Sequence, residues 1–217
     1  MVEDIILLGF GGHAKSVIDT IERQNKYRIV GFTDKSQDKA YKKYQTIGTD
    51  DDLEKIFQNG VKNAFITIGY LGDSTIRKQL FYRLKEIGYH IPIIVDDTAV
   101  IATDARIGEG TYVGKNAVIN SDATVGKMCI VNTGAIVEHE CIIGDFSHVA
   151  VGAVMCGMSK AGAETLIGAN ATVIQCTEVG SQSKVGAGAI VLKQVPDNTT
   201  VSGVWKGNMQ QRGDGSE

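Results

Sequence analysis

The sequence is poor in proline and in aromatic residues, and it has no long hydrophobic run. Only 2 of its 217 residues are proline, and 6% are aromatic. No apolar stretch approaches the roughly 18 residues that a membrane span needs, and no basic segment of a secretion signal precedes the apolar run at residues 5–8. The small net charge of -3 gives no reason to expect nucleic acid or a membrane as a partner. We therefore expect a soluble, cytoplasmic protein.

The four cysteines lack the close pairing of a structural zinc site. Cys129, Cys141, Cys156 and Cys176 are separated by 12, 15 and 20 residues, whereas zinc motifs place two cysteines within a few positions of each other. In a cytoplasmic chain they are expected to be free thiols. Their spacing therefore matches no close-paired structural zinc site.

The first half of the chain alternates short apolar runs with amphipathic stretches. The runs have the length of buried strands, and the stretches between them repeat apolar residues at helical spacing. This alternation implies a small, parallel, Rossmann-like α/β domain, which we assign to residues 1–97. The predicted strands cover residues 4–10, 27–32, 64–69 and 91–95, and the predicted helices cover residues 13–23, 50–58 and 74–87.

The second half has a strict period of six residues. From Ile101 to Val191, fourteen of the sixteen residues at every sixth position are Ile or Val, and the exceptions are Met155 and Ala161. A small or β-branched residue follows each of them by four positions, and glycine follows directly in eight hexads. Such a repeat predicts three short parallel strands per coil of about 18 residues, with the aliphatic residue pointing inward.

This pattern predicts an all-β left-handed parallel β-helix over residues 98–206, followed by a polar tail at residues 207–217. Glycine directly after the inward residue suits either unusual backbone dihedrals or a close approach between coils. The weak hexads at Met155 and Ala161 predict an irregular stretch at residues 158–163.

One segment of the repeat combines two histidines with acidic residues. Residues 137–148 read Val-Glu-His-Glu-Cys-Ile-Ile-Gly-Asp-Phe-Ser-His. This segment resembles the active-site segment of the bacterial hexapeptide-repeat sugar O-acyltransferases of the sialic acid O-acetyltransferase type, a family that includes N-acetyltransferases of nucleotide-linked 4-amino sugars. Residues 9–13 (Gly-Phe-Gly-Gly-His), 31–35 (Gly-Phe-Thr-Asp-Lys) and 131–135 (Val-Asn-Thr-Gly-Ala) are also similar to that family. The resemblance covers nearly the whole chain.

The resemblance implies a pair of catalytic residues. His139 lies two positions after an inward residue, so its side chain is expected to point out of the β-helix, where it could act as a general base. In the family the corresponding His-Glu pair is the base and its orienting carboxylate, which assigns these roles to His139 and Glu140. The residues alone leave open that His139 is a surface histidine in an acidic stretch.

The resemblance also implies acetyl-CoA as the acyl donor, bound in a groove between neighbouring subunits of a homotrimer. A plain structural role in the repeat stays open for each of the implied donor residues. The residues that match the family's donor contacts are His148, Gly157, Ala169 and Ala187.

A glycine turn after the first predicted strand is the second implied ligand site. The turn opens a helix, and the free N–H groups of a helix N-terminus bind phosphate. An acidic residue follows the second strand, where it can meet a ribose. The alternative is a tight strand-to-helix turn that binds no ligand. The resemblance implies a nucleotide-sugar pocket formed by Gly11, Gly12, His13, Asp34, Lys35 and Gly69.

These expectations define one leading hypothesis and two alternatives. The leading one is an acetyltransferase that moves the acetyl group of acetyl-CoA to an amine or hydroxyl of a nucleotide-linked sugar for a surface glycan, without a metal. The first alternative is a metal-dependent β-helix lyase of the carbonic anhydrase type. That site needs three histidines, and only His139 and His148 lie in the predicted β-helix. The second alternative is a non-enzymatic sugar-binding scaffold.

Overall fold

The computed structural model describes residues 2–36 and 38–207, so the predicted tail lies outside the described residues from residue 208 onward. The first unit contains strands β1 (Glu3–Leu8), β2 (Tyr27–Thr33), β3 (Ala40–Tyr41), β4 (Tyr44–Gly48) and β5 (Asn63–Ile66). Its helices are α1 (Gly12–Gln24), α2 (Leu53–Gln58, preceded by a 3-10 turn at Asp50–Asp52) and α3 (Thr75–Ile87). The strands form one sheet in the order β3-β4-β2-β1-β5, which is parallel except for the β3–β4 pair.

The central strand β1 explains why this unit is a parallel sheet between helices. Its residues 5–8 are completely buried, as expected for a strand that is covered on both faces. Helix α1 packs Val17, Ile18 and Ile21 into its core and ends at the left-handed residue Asn25. The predicted Rossmann-like α/β fold is confirmed. None of the helices in the described parts of the chain has the length and apolar content that a membrane crossing requires.

The second unit is a β-helix whose two-residue strands form three parallel sheets. The docked face, against which the first unit packs, consists of β6 (Ile94–Val95), β9 (Tyr112–Val113), β12 (Ile130–Val131), β15 (His148–Val149), β18 (Leu166–Ile167), β21 (Lys184–Val185) and β23 (Thr200–Val201). The apolar face, named for its outward side chains, consists of β7 (Val100–Ile101), β10 (Val118–Ile119), β13 (Ile136–Val137), β16 (Val154–Met155), β19 (Thr172–Val173), β22 (Ile190–Val191) and β24 (Val204–Trp205). The polar face consists of β8 (Arg106–Ile107), β11 (Thr124–Val125), β14 (Ile142–Ile143), β17 (Lys160–Ala161) and β20 (Glu178–Val179).

Neighbouring coils stack with a register of 18 residues, except at the C-terminal end, where Lys184 pairs with Thr200 and Ile190 pairs with Val204. On the apolar face, for example, Ile119 pairs with Val137, and the same offset recurs on the other two faces. The inward residues form one continuous aliphatic core, and burial of each contributes about 2 kcal/mol. Cys129 and Cys141 are free thiols buried in the small-residue positions, and burial raises the pKa of Cys129 to about 12. The predicted left-handed parallel β-helix is confirmed.

Glycine after an inward residue is explained by the close approach of neighbouring coils. A Cβ at Gly144 would lie 2.4 Å from the backbone nitrogen of Ala163 in the next coil, so no side chain fits there. The left-handed residues lie two positions later in the hexad, as at Phe146 and Glu164. Of the two explanations that the sequence left open, close approach is therefore the one that applies.

Residues 158–163 follow a regular path, so the prediction of an irregular stretch was wrong. Strands β16 and β17 continue their sheets in the 18-residue register, and the inward side chains of Met155 and Ala161 are both buried. The flexible methionine fills the space of a branched aliphatic side chain. The backbone path tolerates a change in the size of the inward side chain.

The first unit packs on the docked face through a shared core. The outward side chains of Tyr112 and Ile130 join the core of β1 and α1, and the hydroxyl of Thr20 in α1 donates a 2.7 Å hydrogen bond to buried Asp96. The prediction of a fourth α/β strand at residues 91–95 was wrong, because β6 pairs with β9 of the β-helix instead. A short apolar run does not specify which sheet it joins.

The outward side chains of the apolar face form a long, uncovered aliphatic strip. Six of its seven outward residues are Val or Ile, against one of five on the polar face. In the single chain their exposure reaches 65% at Val100 and 53% at Val204. Contiguous exposed apolar surface of this kind marks an interaction site. The outward residues are Val100, Val118, Ile136, Val154, Thr172, Ile190 and Val204.

Candidate active site

A cavity of about 710 Å³ lies between the first unit and the docked face. It opens at the carboxyl ends of β1, β2 and β5, the edge at which parallel α/β sheets bind ligands. The β-helix contributes Ile130, Asn132, Thr133, His148 and Val151 to its wall. All six residues that the sequence predicts for a nucleotide-sugar pocket line this one cavity: Gly11, Gly12, His13, Asp34, Lys35 and Gly69.

The glycine turn leaves open space in front of the first turn of α1. Gly11 is the N-cap, and no side chain caps the helix, so the N–H groups of the first turn lack a partner within the helix. A Cβ at Gly11 or Gly12 would meet no protein atom within 4 Å. Packing therefore does not require glycine at either position, and the space beside these N–H groups suits an anion such as phosphate.

The carboxylate of Asp34 organises the cavity rim beside the turn. It accepts hydrogen bonds from the backbone N–H groups of Phe10 at 2.9 Å and Ser36 at 3.0 Å, and it pairs with Lys39 at 2.9 Å. Burial would raise the pKa of Asp34, but these hydrogen bonds outweigh burial and lower it. Asp34 therefore fixes the glycine turn through Phe10, and Lys35 lines the cavity beside it.

His148 is buried in the cavity wall as a defined tautomer. Its Nδ1–H donates to the carbonyl oxygen of Tyr70 at 2.7 Å, because a carbonyl can only accept. Its Nε2 then accepts from the side-chain amide of Asn132 at 3.1 Å. Burial lowers the pKa of His148 to about 4, so the ring is neutral near pH 7. The ring is therefore oriented and uncharged when a ligand enters.

His13 contributes a second buried imidazole to the cavity wall. Its ring meets the edge of Tyr112 at 5.1 Å between centroids, and its Nε2 has no hydrogen-bond partner among the described residues. Burial lowers the pKa of His13 to about 3. An unpaired buried nitrogen is costly, and a polar group of a ligand in the cavity could satisfy it.

These two histidines are expected to make the folded state sensitive to acid. Their pKa values, about 4 for His148 and about 3 for His13, lie below the ordinary value of 6.5. The unfolded chain therefore binds more protons than the folded protein below pH 6.5, and stability is lost as the pH falls. We expect the free energy of unfolding to decrease by about 2 kcal/mol per histidine between about pH 7 and pH 5.

Urea unfolding at the two pH values measures this loss. The His148→Gln variant keeps a polar side chain without a titrating ring, so its stability should depend on pH less steeply than that of the wild type. A wild-type free energy of unfolding that is equal at both pH values would contradict the prediction.

The predicted catalytic pair lies elsewhere, at the corner between the apolar and polar faces. The side chain of His139 is 50% exposed, and its Nδ1 lies 3.1 Å from Oε2 of Glu140. A carboxylate can only accept, so Nδ1 carries the proton and Nε2 keeps a free lone pair. This is the arrangement that a general base requires. We call this edge the His139 corner; its stacked residues are Ser121, His139, Gly157 and Gln175.

Gly157 provides the space in which the imidazole of His139 lies. A Cβ at residue 157 would be 2.5 Å from Nε2 and 2.6 Å from Cε1 of that ring. Any side chain there would displace the imidazole from its position beside Glu140. The contact of Gly157 with the acyl donor stays a prediction, while its steric relation to His139 is a feature of the fold.

The two alanines predicted to contact the donor lie on the corner between the docked and apolar faces. Ala169 is half-buried and Ala187 is exposed, and their short side chains leave this edge open. Thr133 and Val151 of the same edge line the cavity, so the edge leads from the cavity toward the C-terminal coils. We call it the Ala169 corner; its stacked residues are Thr133, Val151, Ala169 and Ala187.

A single chain therefore does not gather all the predicted site residues in one place. His148 shares the cavity with the six nucleotide-sugar residues, and the Ala169 corner continues from the cavity edge. The His139 corner lies on the other side of the apolar face, and the catalytic pair does not line the described cavity. In the described parts of the chain, no group of three or more His, Cys, Asp or Glu side chains is arranged to hold a metal ion.

The residues of the cavity wall that were not predicted as site residues include Tyr70, Asn132 and Thr133. Asn132 lies in the segment 131–135 that is similar to the family, and this similarity could have identified it; the repeat alone could not, because Asn120 and Glu138 are also polar at the same hexad position. Tyr70 contacts His148 through its backbone carbonyl, so no residue pattern indicates it. Thr133 is a short polar side chain at a corner, which is common throughout the repeat.

Known proteins with this arrangement share both units. Residues 4–84 match the family model described as the PglD N-terminal domain. The acetyltransferase domain of PglB from Neisseria gonorrhoeae is 30% identical and covers 93% of this chain and 97% of that chain, with a TM-score of 0.87. A structure of that domain in complex with acetyl coenzyme A is 29% identical, covers 94% of this chain and 97% of that chain, and has a TM-score of 0.87.

A mutant of GDP-perosamine N-acetyltransferase from Caulobacter crescentus, in complex with CoA and GDP-perosamine, is also similar. It is 27% identical and covers 94% of each chain, with a TM-score of 0.88. No curated protein matches the sequence.

These features define a class of two-unit hexapeptide-repeat transferases. In that class a Rossmann-like unit is docked on a left-handed β-helix, and a ligand-sized cavity lies at their junction. Within that class, the chain belongs to the hexapeptide-repeat family of sugar acetyltransferases, because it is 30% identical to the PglB domain over nearly the full length of both chains. The resemblance predicted from residues 137–148 is thereby confirmed.

Proposed function

We propose that this protein transfers the acetyl group of acetyl-CoA to the amine of a nucleotide-linked sugar in the cytoplasm, for a surface glycan. The observation that carries the proposal is the exposed His139–Glu140 pair, whose Nε2 is free to accept a proton. The similar enzyme from Caulobacter crescentus is a GDP-perosamine N-acetyltransferase, which favours an amine over a hydroxyl as the acceptor.

In the proposed reaction, His139 is the general base. Its Nε2 takes a proton from the acceptor amine as the nitrogen attacks the thioester carbonyl, and Glu140 stabilises the resulting imidazolium through Nδ1–H. The oxyanion that forms needs a hydrogen-bond donor. The backbone N–H of Gly157 has no acceptor among the described residues and lies on the same corner. Collapse of the tetrahedral intermediate expels the thiolate of coenzyme A, which takes the proton back from His139.

We propose a homotrimer in which each active site is shared by two chains. The His139 corner and the Ala169 corner lie on either side of the apolar face, so a groove formed by one corner from each of two neighbouring subunits would unite them. The aliphatic strip between the corners supplies the surface that such an assembly buries. In this arrangement the donor lies along the Ala169 corner with its thioester near His148, and His139 of the neighbouring subunit reaches the reacting atoms.

The glycine turn is the proposed site of the nucleotide phosphates, and Gly12→Ala tests it. The new methyl group would occupy the open space in front of α1, where a phosphate would approach the free N–H groups. Alanine is favoured over glycine by about 0.5–1 kcal/mol within a helix, so the melting temperature should stay the same or rise. We expect the KM for the nucleotide sugar to increase about 10-fold, a cost of about 1.4 kcal/mol in binding.

Acetyl-CoA serves as the internal control for this variant. Its KM should change less than about 2-fold, because the donor is proposed to lie on the Ala169 corner and not at the turn. An unchanged KM for the nucleotide sugar in a stable Gly12→Ala protein would show that the phosphates do not bind at this turn.

The proposed function is tested by incubating the protein with acetyl-CoA and a panel of nucleotide-linked 4-amino sugars. We expect release of the coenzyme A thiol together with an acetylated sugar nucleotide in the mass spectrum. Binding of a nucleotide sugar without any binding of acetyl-CoA, read as a thermal shift, would favour the scaffold alternative. Stoichiometric zinc in the purified protein would favour the lyase alternative.

A further inference from the structure

We propose that Glu164, which lies on the β-helix outside the predicted catalytic and donor sites, is a positioning residue for the acceptor cavity. The inference rests on the proposed function of that cavity. It concerns the loop at residues 67–74, which joins β5 to α3 and forms one wall of the cavity. Glu164 fastens this loop to the β-helix, and the loop in turn holds His148.

Glu164 makes two contacts through its carboxylate, at the end of the loop and in α3, and one through its backbone carbonyl, in the middle of the loop. Its carboxylate accepts a hydrogen bond from the hydroxyl of Ser74 and pairs with the ammonium group of Lys78 at 2.9 Å. Its backbone carbonyl accepts a hydrogen bond from the phenol of Tyr70. The hydrogen bond from Ser74 is the largest of the effects that lower the pKa of Glu164, so the carboxylate is ionised near pH 7.

The position of Glu164 also suits the electrostatics of α3. Ser74 is the N-cap of that helix, and its first turn contains no acidic residue. A carboxylate near a helix N-terminus is favoured by the helix dipole. Asp73 already accepts the backbone N–H of Thr75 at 2.8 Å, and Glu164 adds a second negative charge at this helix end from the β-helix.

The loop transmits this anchoring to the cavity. Tyr70, four residues before Ser74, donates its hydroxyl hydrogen to the backbone carbonyl of Glu164, and its own backbone carbonyl accepts the Nδ1–H of His148 at 2.7 Å. The next residues, Leu71 and Gly72, pass over the docked face, and a Cβ at Gly72 would lie 2.3 Å from Cε of Lys184. If the loop moved away from the β-helix, His148 would lose the acceptor that fixes its tautomer.

A second ion pair of the same kind provides a matched control. Lys85, near the end of α3, pairs with Glu109 of the β-helix at 2.5 Å. Both pairs join a lysine of α3 to a glutamate of the β-helix, but neither Lys85 nor Glu109 lines the cavity. A merely structural role for Glu164 predicts that Glu164→Gln and Glu109→Gln have the same effects.

The experiment compares Glu164→Gln with Glu109→Gln in the full-length protein. Amide hydrogen exchange measures the loop without any ligand, and steady-state kinetics with a nucleotide-linked amino sugar measures the cavity. We expect Glu164→Gln to speed exchange at residues 70–74 about 10-fold and to raise the acceptor KM about 5-fold, with the acetyl-CoA KM within about 2-fold of wild type. Glu109→Gln should leave all three quantities close to wild type.

The inference is overturned if exchange at residues 70–74 and the acceptor KM are the same in the two variants. The double variant Ser74→Ala/Lys78→Met removes the same contacts from the other side, so it should reproduce the effect if Glu164→Gln fails to fold. Failure of the proposed function would be distinct, since the wild type would then turn over no nucleotide sugar while the exchange difference between the variants remained.

Discussion

The His139→Ala variant is expected to lose about 10³-fold in kcat while it keeps its fold and both substrate affinities. General bases of this kind contribute roughly 10²–10⁴-fold, and the removed imidazole is the one whose Nε2 is free and whose Nδ1 is held by Glu140 at 3.1 Å. The ring is half exposed, so its loss leaves no cavity in the core. Thiol release from acetyl-CoA at saturating acceptor measures the effect.

Matched variants distinguish the loss of the base from a nonspecific loss of activity caused by the substitution. His90→Ala removes an exposed histidine that contacts Asn63 at the far end of the first unit, and it should leave kcat unchanged. Free imidazole should restore part of the activity of His139→Ala, because the vacated site is open to solvent. A His139→Ala enzyme with kcat within about 3-fold of wild type would end the assignment of this residue as the base.

The ring position can be tested without removing the ring. In Gly157→Ala, the new methyl group would lie 2.5 Å from Nε2 of His139 and would force the imidazole away from Glu140. We expect a loss in kcat that approaches the loss in His139→Ala, since a misplaced base takes no proton.

The β-helix could be predicted almost completely from the sequence, because its period is local and repeats without a break. Each hexad fixes which side chain points inward, and the inward ladder from Ile101 to Val191 forms a single core. The irregularity expected at residues 158–163 was wrong for a physical reason. Backbone hydrogen bonds between coils hold the path, and they do not depend on whether the inward residue is Val, Met155 or Ala161.

The first unit was less predictable where tertiary contacts decide the outcome. The antiparallel pair β3–β4 was not predicted, because residues 40–48 mix Tyr and Lys without a clear alternation. Residues 91–95 have the composition of a buried strand, yet Ile94 and Val95 pair with the β-helix. Both outcomes depend on which neighbour is available, and a single strand sequence does not contain that information.

The candidate site shows the same division between local and tertiary information. The glycine turn and the His139–Glu140 pair could be predicted, because the residues that act together in each are only a few positions apart in the sequence. The neutral state of His148 could not, because it depends on burial against the first unit and on the Tyr70 carbonyl. The distribution of the predicted site over two corners also emerges only when 18-residue coils are stacked.

The Ile136→Glu variant is expected to be monomeric and at least about 10²-fold less active than the wild type. Ile136 points outward from the middle of the apolar face and is half-buried in the single chain, so a carboxylate there is tolerated by the fold of one chain. In a homotrimer the substitution would place three desolvated charges in the interfaces, which costs several kcal/mol for each. A monomer would lack the His139 of a neighbour, and the expected loss is therefore the contribution of a general base.

Light scattering measures the mass, and Thr124→Glu is the matched control. Thr124 has the equivalent outward place on the polar face, so that variant should keep the mass and the activity of the wild type. If the Ile136→Glu variant were a fully active monomer, the whole active site would lie within one chain, and the proposal of a groove shared by two subunits would be wrong.

Mixing two inactive chains tests the shared site most directly. One chain carries His139→Ala and an intact cavity; the other carries an intact His139 corner and a cavity blocked by Gly12→Asp, whose carboxylate would repel the phosphates. If each site takes His139 from one subunit and the cavity from its neighbour, subunit exchange at equal amounts should restore activity to about a quarter of the wild-type value, because each half is intact with a chance of about one half. If both halves belonged to one chain, every site in the mixture would carry a defect and no activity would return.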